Sequence, residues 1–436
     1  MKTLFKNANT IDKTGESLTG IDIYIDCEHI IFADRPDKAE KNKKTAAFEP
    51  DRVINAENML VIPGLYNAHT HLPMTMFKGY AEDMPLDVWL SEKIWPAEKR
   101  LTDMIAYYNA LWAIAEQIKN GIISFSEMYM FPENILQAAD ESGVKLNYCN
   151  GVMSFDANEN PKNNKDFTKA KKLYKNYHNS ACGRIKIDMS VHAEYTNHEK
   201  IIGAVADFSN EHMIINQVHI SETKKEHEEC AARHGMTPIE FLDSLNFFDS
   251  PTVAAHCVHV TDDDMDIMAE KGVTAAHCPS SNLKLACGIA RVPEMIKRGV
   301  NIAMGTDGSA SNNNLDILKE MYIASILQKG ISGNPEAMPA KDMLKYATIN
   351  SAVAQGREDS GSIEAGKKAD LTVLDLNSIE AIPAYNYDGA LLYSLSGRNV
   401  IMTMCDGKIL YENGEFKTID IEKVKYKIKK FSEQYK

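Results

Sequence analysis

Hydrophobic and polar positions alternate in the first sixty residues. Ile21-Asp22-Ile23-Tyr24-Ile25 has the period of two expected of a half-buried strand, and His29-Ile30-Ile31-Phe32 is a second short run. Residues 35–45, rich in Lys, Asp and Glu, read as an exposed loop. From Leu60 the pattern changes to short apolar runs separated by longer helix-period stretches. The eight runs are Leu60–Ala68, Ile122–Ser126, Val144–Cys149, Ile185–Val191, Met213–Ile220, Thr252–His256, Val273–His277 and Val300–Gly305. Between them, 102–120, 132–142, 165–177, 197–211, 234–247, 261–271 and 290–298 have helical spacing. Continuous apolar strands alternating with helices imply a parallel sheet covered on both faces. Eight such units predict an α/β chain built on a closed (β/α)8 barrel, with a doubly wound open sheet as the alternative.

Strand signals return after about residue 360. Ala369 to Asp375 alternates, Val400 to Cys405 runs into the turn Asp406-Gly407, and Asn413-Gly414 marks another hairpin. Gly361 to Lys368 superficially resembles a phosphate loop, but it lacks the final Ser or Thr and the strand–helix frame, so a turn entering a sheet is expected. Ile421 to Tyr435 reads as a Lys-rich amphipathic helix docked by one face. The strand-rich ends are therefore joined into one small composite β-sandwich domain, with the barrel inserted between them. The expected partition is 1–62, 63–360 and 361–436.

Lys and Arg number 48 and Asp and Glu 61, a formal charge of −13. That surface repels phosphate backbones and acidic leaflets, so neither nucleic acid nor a membrane is an expected partner. The start, Met1 to Asn7, lacks the apolar core of a signal peptide. The eight cysteines contain no CxxC pair and several sit singly in apolar runs, as reduced thiols of a cytoplasmic protein would.

The polar residues at the strand ends carry the chemistry. His69-Thr70-His71 follows the first barrel strand, and residues two apart on an extended chain project to the same side. His219, His256 and His277 fall at the ends of the fifth, sixth and seventh strands, and Asp307 at the end of the eighth; five of the 13 histidines occupy such positions. Barrel enzymes place active sites there. His69, His71, His219 and Asp307 offer three nitrogens and a carboxylate, a donor set for one divalent metal, zinc first and iron or manganese next. Such an ion makes water a nucleophile at neutral pH. Glu222, three residues after His219, suits proton shuttling, against the alternative of a solvated glutamate on a helix N-terminal turn. His256 can orient the attacking water. For His277, a structural bond beneath Ser280-Ser281-Asn282 stands beside a catalytic role.

These motifs resemble a known family. Pro63-Gly64-Leu65-Tyr66-Asn67-Ala68-His69-Thr70-His71, with Met74, Gly79, Glu82-Asp83, Trp89 and Glu98, is similar to the amidohydrolase superfamily, and more narrowly to the 5′-methylthioadenosine/S-adenosylhomocysteine deaminases and their chlorohydrolase-like relatives. Val218 to Thr223, Ala254 to His259, His277 to Leu285, Gly305 to Asn313 and Gly361 to Asp375 match as well. The resemblance implies the same barrel and composite β domain. It implies a metal on His69, His71, His219 and Asp307, proton transfer by Glu222 and water orientation by His256. It further implies a grip on ribose hydroxyls by Glu98 and a substrate-facing His192. The implied reaction is zinc-dependent hydrolytic deamination of an adenine nucleoside to the inosine analogue and ammonia, by a dimer or tetramer. The alternatives are attack on a guanine, pterin, cytosine or triazine ring, and, of another class, a non-catalytic binding module of the same fold.

One departure bears on substrate. Some members hold the carboxylate of S-adenosylhomocysteine with arginines in and after the loop following strand three. Residues 151–172 here hold no arginine, only Lys162, Lys165, Lys169, Lys171 and Lys172 among several Asn. A lysine cannot make the bidentate fork. Methylthioadenosine, adenosine or 5′-deoxyadenosine are therefore expected to suit the site better.

Overall fold

The computed structural model describes residues 1–435. Its centre is a barrel of eight parallel strands: Leu65–Thr70, Ile122–Met128, Lys145–Cys149, a fourth split into Ile185–Ile187 and Met189–Ala193, then Asn216–Ile220, Thr252–His256, Thr274–His277 and Asn301–Met304. The first four pair as one arc and the last five segments as another. The fourth strand belongs to both arcs, because Asp188 donates its amide to Tyr148 O and Met189 to Ile215 O, both at 2.9 Å. The ring closes where Asp307 N donates to His69 O at 3.0 Å. Two glycines permit that closure. A Cβ on Gly305 would lie 2.8 Å from Cys278 Sγ, and one on Gly308 2.9 Å from Met74 Sδ.

The apolar run from Leu60 to Ala68 is two strands rather than one. Met59–Pro63 pairs with Leu371–Asp375 outside the barrel, and Leu65–Thr70 opens the barrel. Backbone bonding switches across one peptide, since Gly64 N donates to Asp370 O and Leu65 N to Gly121 O. A side chain at Gly64 would run into Ile123, 2.6 Å away, so the crossing depends on a residue without one.

The helices follow their signals closely where caps are strong. Thr102, Asn164 and Thr261 accept from the first-turn amides of Asp103–Lys119, Lys165–Tyr177 and Asp262–Glu270. The helix expected over 234–247 is instead a pair, Lys224–His234 and Pro238–Ser244. Gly235, left-handed at φ +67°, ends the first, and Thr237 with Glu240 caps the second in reciprocal fashion. Helices at Ile317–Ser332, Ala340–Ala347 and Ile349–Ala354 lie beyond the last barrel strand.

Strands from both termini form the second body. Lys2–Ile11, Ser17–Asp26, His29–Asp34 and Arg52–Asn55 make one half, and Met59–Pro63, Leu371–Asp375, Val400–Cys405, Lys408–Glu412 and Glu415–Phe416 the other. The halves join through one pair, Asn9 with Leu60, and enclose a core that includes Phe5, Ile23, Ile25, Val373 and Met404. Asp406-Gly407 and Asn413-Gly414 turn the hairpins with positive φ at both residues. Gly366 and Lys367 hydrogen-bond Ile30, so the glycine-bearing stretch at 361–368 is a turn against the sheet. The C-terminal helix, Ile421–Ser432, buries Val424 and Phe431. No helix among the described residues is long and apolar enough to cross a membrane.

Candidate active site

At the C-terminal ends of the strands, imidazoles and one carboxylate converge. His69 Nε2 and His71 Nε2 lie 3.5 and 3.3 Å from Asp307 Oδ1, and His219 Nε2 lies 3.3 Å from His71 Nε2. The ring of His256 is 5.3 Å from that of His69 and 5.6 Å from that of His219, centre to centre. His69, His71 and Asp307 form one group able to hold a cation, and His69, His219 and His256 an overlapping one.

The far sides of these groups are fixed. His71 Nδ1 donates to Met128 O at 2.5 Å, and His219 Nδ1 to His192 O at 2.7 Å. His256 Nδ1 donates to Asn282 Oδ1 at 2.9 Å. Each ring therefore turns its Nε2 inward, the arrangement outer partners impose on metal-ligating imidazoles. Asp307 Oδ2 accepts from the hydroxyls of Ser281 and Ser311, both at 2.6 Å, and Oδ1 accepts from Gly308 N at 2.7 Å. His69 Nε2 is buried and has no hydrogen-bond partner among the described residues. Such an orphan is costly unless something absent from the chain satisfies it. Three nitrogens, a carboxylate and an unsatisfied buried atom suit one divalent cation, zinc by donor type.

Local backbone strain accompanies the cluster. Ser221, His256, Cys257 and Asp307 are left-handed, with φ of +49°, +75°, +49° and +59°. Non-glycine residues take that region at a cost of about 1–3 kcal/mol each, and such residues gather at working sites. Burial keeps His219 well below its usual range and His69 at about 4, so both rings are neutral donors. Burial also presses on His71, but the carboxylates of Asp307 and Glu127 overcome it and raise that ring to about 9. Burial likewise opposes ionisation of Asp307, but His69 and His71 hold its carboxyl well below the carboxylate range.

The cluster floors a cavity of about 310 Å³. Glu222 borders it, with Oε2 3.9 Å from His256 Nε2 and Oε1 3.6 Å from Cys287 Sγ. Burial pushes its carboxyl up, and His256 pulls it down. Glu222 is not a solvated residue. Its amide and that of Ser221 donate to Glu226, each at 2.8 Å, which pins the turn after strand five. Glu98 borders the cavity from another direction and accepts from Tyr129 Oη at 2.5 Å. A π-helical turn, Trp89–Ile94, leads into the short helix Trp95–Glu98 that presents it. His192 lines the cavity with its ring and serves His219 with its carbonyl. A second cavity of about 890 Å³ adjoins and shares Leu86, Leu90, Trp95, Tyr195, Glu222 and Leu285 with the first.

His277 does not fit either expectation. It is buried, neither ring nitrogen has a hydrogen-bond partner among the described residues, and it does not line the cavity. The loop 280–282 serves its neighbours instead, with Ser281 on Asp307 and Asn282 on His256. Sequence reasoning missed Ser281, Asn282, Ser311, Tyr129 and Cys287. Ser281, Asn282 and Ser311 lay inside stretches already singled out, but nothing in a lone Tyr or Cys marks it in advance.

The chain is similar to known proteins along most of its length. The Amidohydrolase family model matches residues 60–410. A 5-methylthioadenosine/S-adenosylhomocysteine deaminase of Dictyoglomus thermophilum is 42% identical over 380 residues, 87% of this chain and 88% of that protein. A 5′-deoxyadenosine deaminase of Methanothermobacter thermautotrophicus is 40% identical over 372 residues, 85% of this chain and 86% of that protein. Among solved structures, an adenosine deaminase of Xanthomonas campestris with bound zinc superposes with a TM-score of 0.93 at 28% identity, covering 99% of this chain and 98% of the other.

Proposed function

Since the chain belongs to the amidohydrolase family and is a hydrolytic enzyme acting on C–N bonds, we propose that it deaminates adenine nucleosides at C6, with one zinc ion held by His69, His71, His219 and Asp307. The observation that carries this reading is that Glu222 and Glu98 line one cavity together with His71, His219, His256 and Asp307. One carboxylate suits a heterocycle and the other a diol.

A divalent ion on these donors supplies a water that is a competent nucleophile at neutral pH. The remaining chemistry falls to side chains. Glu222 takes the proton from the attacking water and delivers it to ring N1, which leaves C6 electrophilic. His256, held by Asn282, keeps one ring nitrogen aimed at the attacking water and orients it. Asp307, with Ser281 and Ser311 on its outer oxygen, turns the inner one toward the reacting centre and can relay the water's second proton. The water oxygen bonds C6, the second proton passes to the exocyclic nitrogen, the C6–N bond breaks, the nitrogen leaves as ammonia, and the ring becomes a hypoxanthine. Glu98, steadied by Tyr129, accepts the ribose 2′- and 3′-hydroxyls, and His192 faces the nucleoside.

The test is turnover of adenosine, 5′-methylthioadenosine, 5′-deoxyadenosine and S-adenosylhomocysteine by the zinc-loaded protein, with guanine and cytosine as controls. The shift from adenine to hypoxanthine absorbance is expected for the nucleosides. Silence on all of them with activity on a free base would overturn the nucleoside and the role of Glu98.

A further inference from the structure

The cavity contains one carboxylate that the mechanism above does not use. Among the described residues, its wall carries four carboxylates, Glu98, Asp166, Glu222 and Asp307, and no lysine or arginine. Three of these have tasks. Asp166 has none. It sits in the first turn of the helix Lys165–Tyr177, half-buried, and shares its part of the wall with Met130, Asn150 and Met153. Asn150 Nδ2 donates to Asp166 O at 3.1 Å, which ties the helix start to the end of strand three. Burial pushes the Asp166 carboxyl up, and the Met153 amide and Lys169 pull it down. Lys169 stays off the wall, as do the other lysines between 162 and 172. Lys224, Lys225 and Lys284 line the adjoining cavity, each in an ion pair, with Glu228, Asp87 and Glu82 respectively.

The direction of a bound nucleoside follows from the reading just given, on which this inference rests. With the ring end at Glu222 and the diol at Glu98, the 5′ carbon lies beyond the ribose, away from Glu222. Glu98 bonds Tyr129, and the next residue along the chain is Met130. We place the 5′ group on the part of the same wall that has no other task, Met130, Met153 and Asp166.

We propose that this lobe selects the charge of the 5′ substituent, with Asp166 as the specificity-determining residue: it accepts apolar thioethers on the two methionines, favours an ammonium, and rejects an anion. Methionine thioethers are polarisable and adapt to a sulfur-bearing alkyl group. A half-buried carboxylate on the pocket wall repels a second anion and attracts a cation. The activity therefore extends to 5′-aminoalkylthio nucleosides, and 5′-carboxylates and 5′-phosphates are poor substrates.

Three nucleosides of similar size test this: 5′-S-propyl-, 5′-S-(2-aminoethyl)- and 5′-S-(carboxymethyl)-5′-thioadenosine. Each kcat/KM is divided by that of the same protein for 5′-deoxyadenosine, so partial loss of folded enzyme in a variant cancels. The wild type should favour aminoethyl over carboxymethyl by at least about tenfold. Asp166→Asn should reduce that ratio by about tenfold, and Asp166→Lys should invert it. Equal turnover of the charged pair by the wild type, or an unchanged ratio in Asp166→Asn, would overturn the proposal while leaving the deaminase reading intact. Silence on 5′-deoxyadenosine itself would remove that reading and the inference with it.

Discussion

Two buried clusters of ligand-type residues occupy opposite ends of the barrel. At the C-terminal ends of the strands stand His69, His71, His219, His256 and Asp307. At the start of strand three, Lys145 meets Asp370 and Asp406, with Cys405 nearby; Asp370, Cys405 and Asp406 also lie close enough together to bind a cation. The second cluster is already closed. Lys145 Nζ lies 2.5 Å from Asp370 and 2.9 Å from Asp406, and Ser360 Oγ is 3.4 Å away. Its cation is part of the chain. The first cluster has no lysine or arginine and keeps an unsatisfied His69 nitrogen. Donor residues alone do not make a site; an unbalanced set of donors does. The division follows the barrel rule that one face carries stability and the other chemistry.

Substitution should separate the two clusters. Asp307→Asn keeps the side-chain shape but removes a charged donor, and should lower kcat/KM by at least about 10³-fold. Bound zinc, measured on the purified protein, should fall with it. Full zinc content with full turnover would break the comparison at its open end.

Lys145→Met should act the other way. It leaves the buried Asp370 carboxylate without its cation, held only by neutral donors such as the Asp406 amide and Tyr66 Oη, which costs about 3–5 kcal/mol of stability. Zinc per folded molecule and kcat should stay as they are. The pH dependence of this deficit has a definite sign. Burial pushes the Asp370 carboxyl up, but Lys145 overcomes it and holds the group below its usual range. A depressed carboxyl contributes stability that is present above its unfolded value and lost as pH falls through the folded one. The gap between wild type and Lys145→Met, read from urea unfolding, should therefore narrow below about pH 4. A gap that widens there would mean that the pair is not what stabilises this end.

The open cluster was far more legible in the sequence than the closed one. Parallel strands end at a common face, so His69, His71, His219, His256 and Asp307 needed only their strands to be located. Lys145, Asp370 and Asp406 come from two separate bodies, and no local pattern announces that they meet. The same limit explains the errors in the fold. Leu60 to Ala68 reads as one apolar run because burial continues across Gly64, although the hydrogen-bond partners change there. The helix at Lys224–His234 carries so many charges that its period is faint, and Gly235 and Pro238 mark the break only once both flanks are known to be helical. Glu98 was found by resemblance alone. The π-helical turn that presents it has no period that hydrophobic spacing can reveal.

The smallest effect tests whether the open cluster extends past its ligands. Cys287 Sγ lies 3.6 Å from Glu222 Oε1, and burial together with that carboxylate pushes the thiol up, so it is a protonated donor. A thiol hydrogen bond is weak, yet it favours the ionised form of Glu222, the form the proposed mechanism needs to take a proton from water. Cys287→Ala should lower kcat only about threefold, in keeping with a bond of about 0.5–1 kcal/mol. It should also move the acidic limb of the kcat/KM profile to higher pH, because Glu222 loses a group that holds it down. Cys287→Ser, which restores a donor, should return the limb to its place. A merely structural role for Cys287 would lower activity without moving the limb. In that case the functional part of the cluster would end at the residues that face the cavity floor.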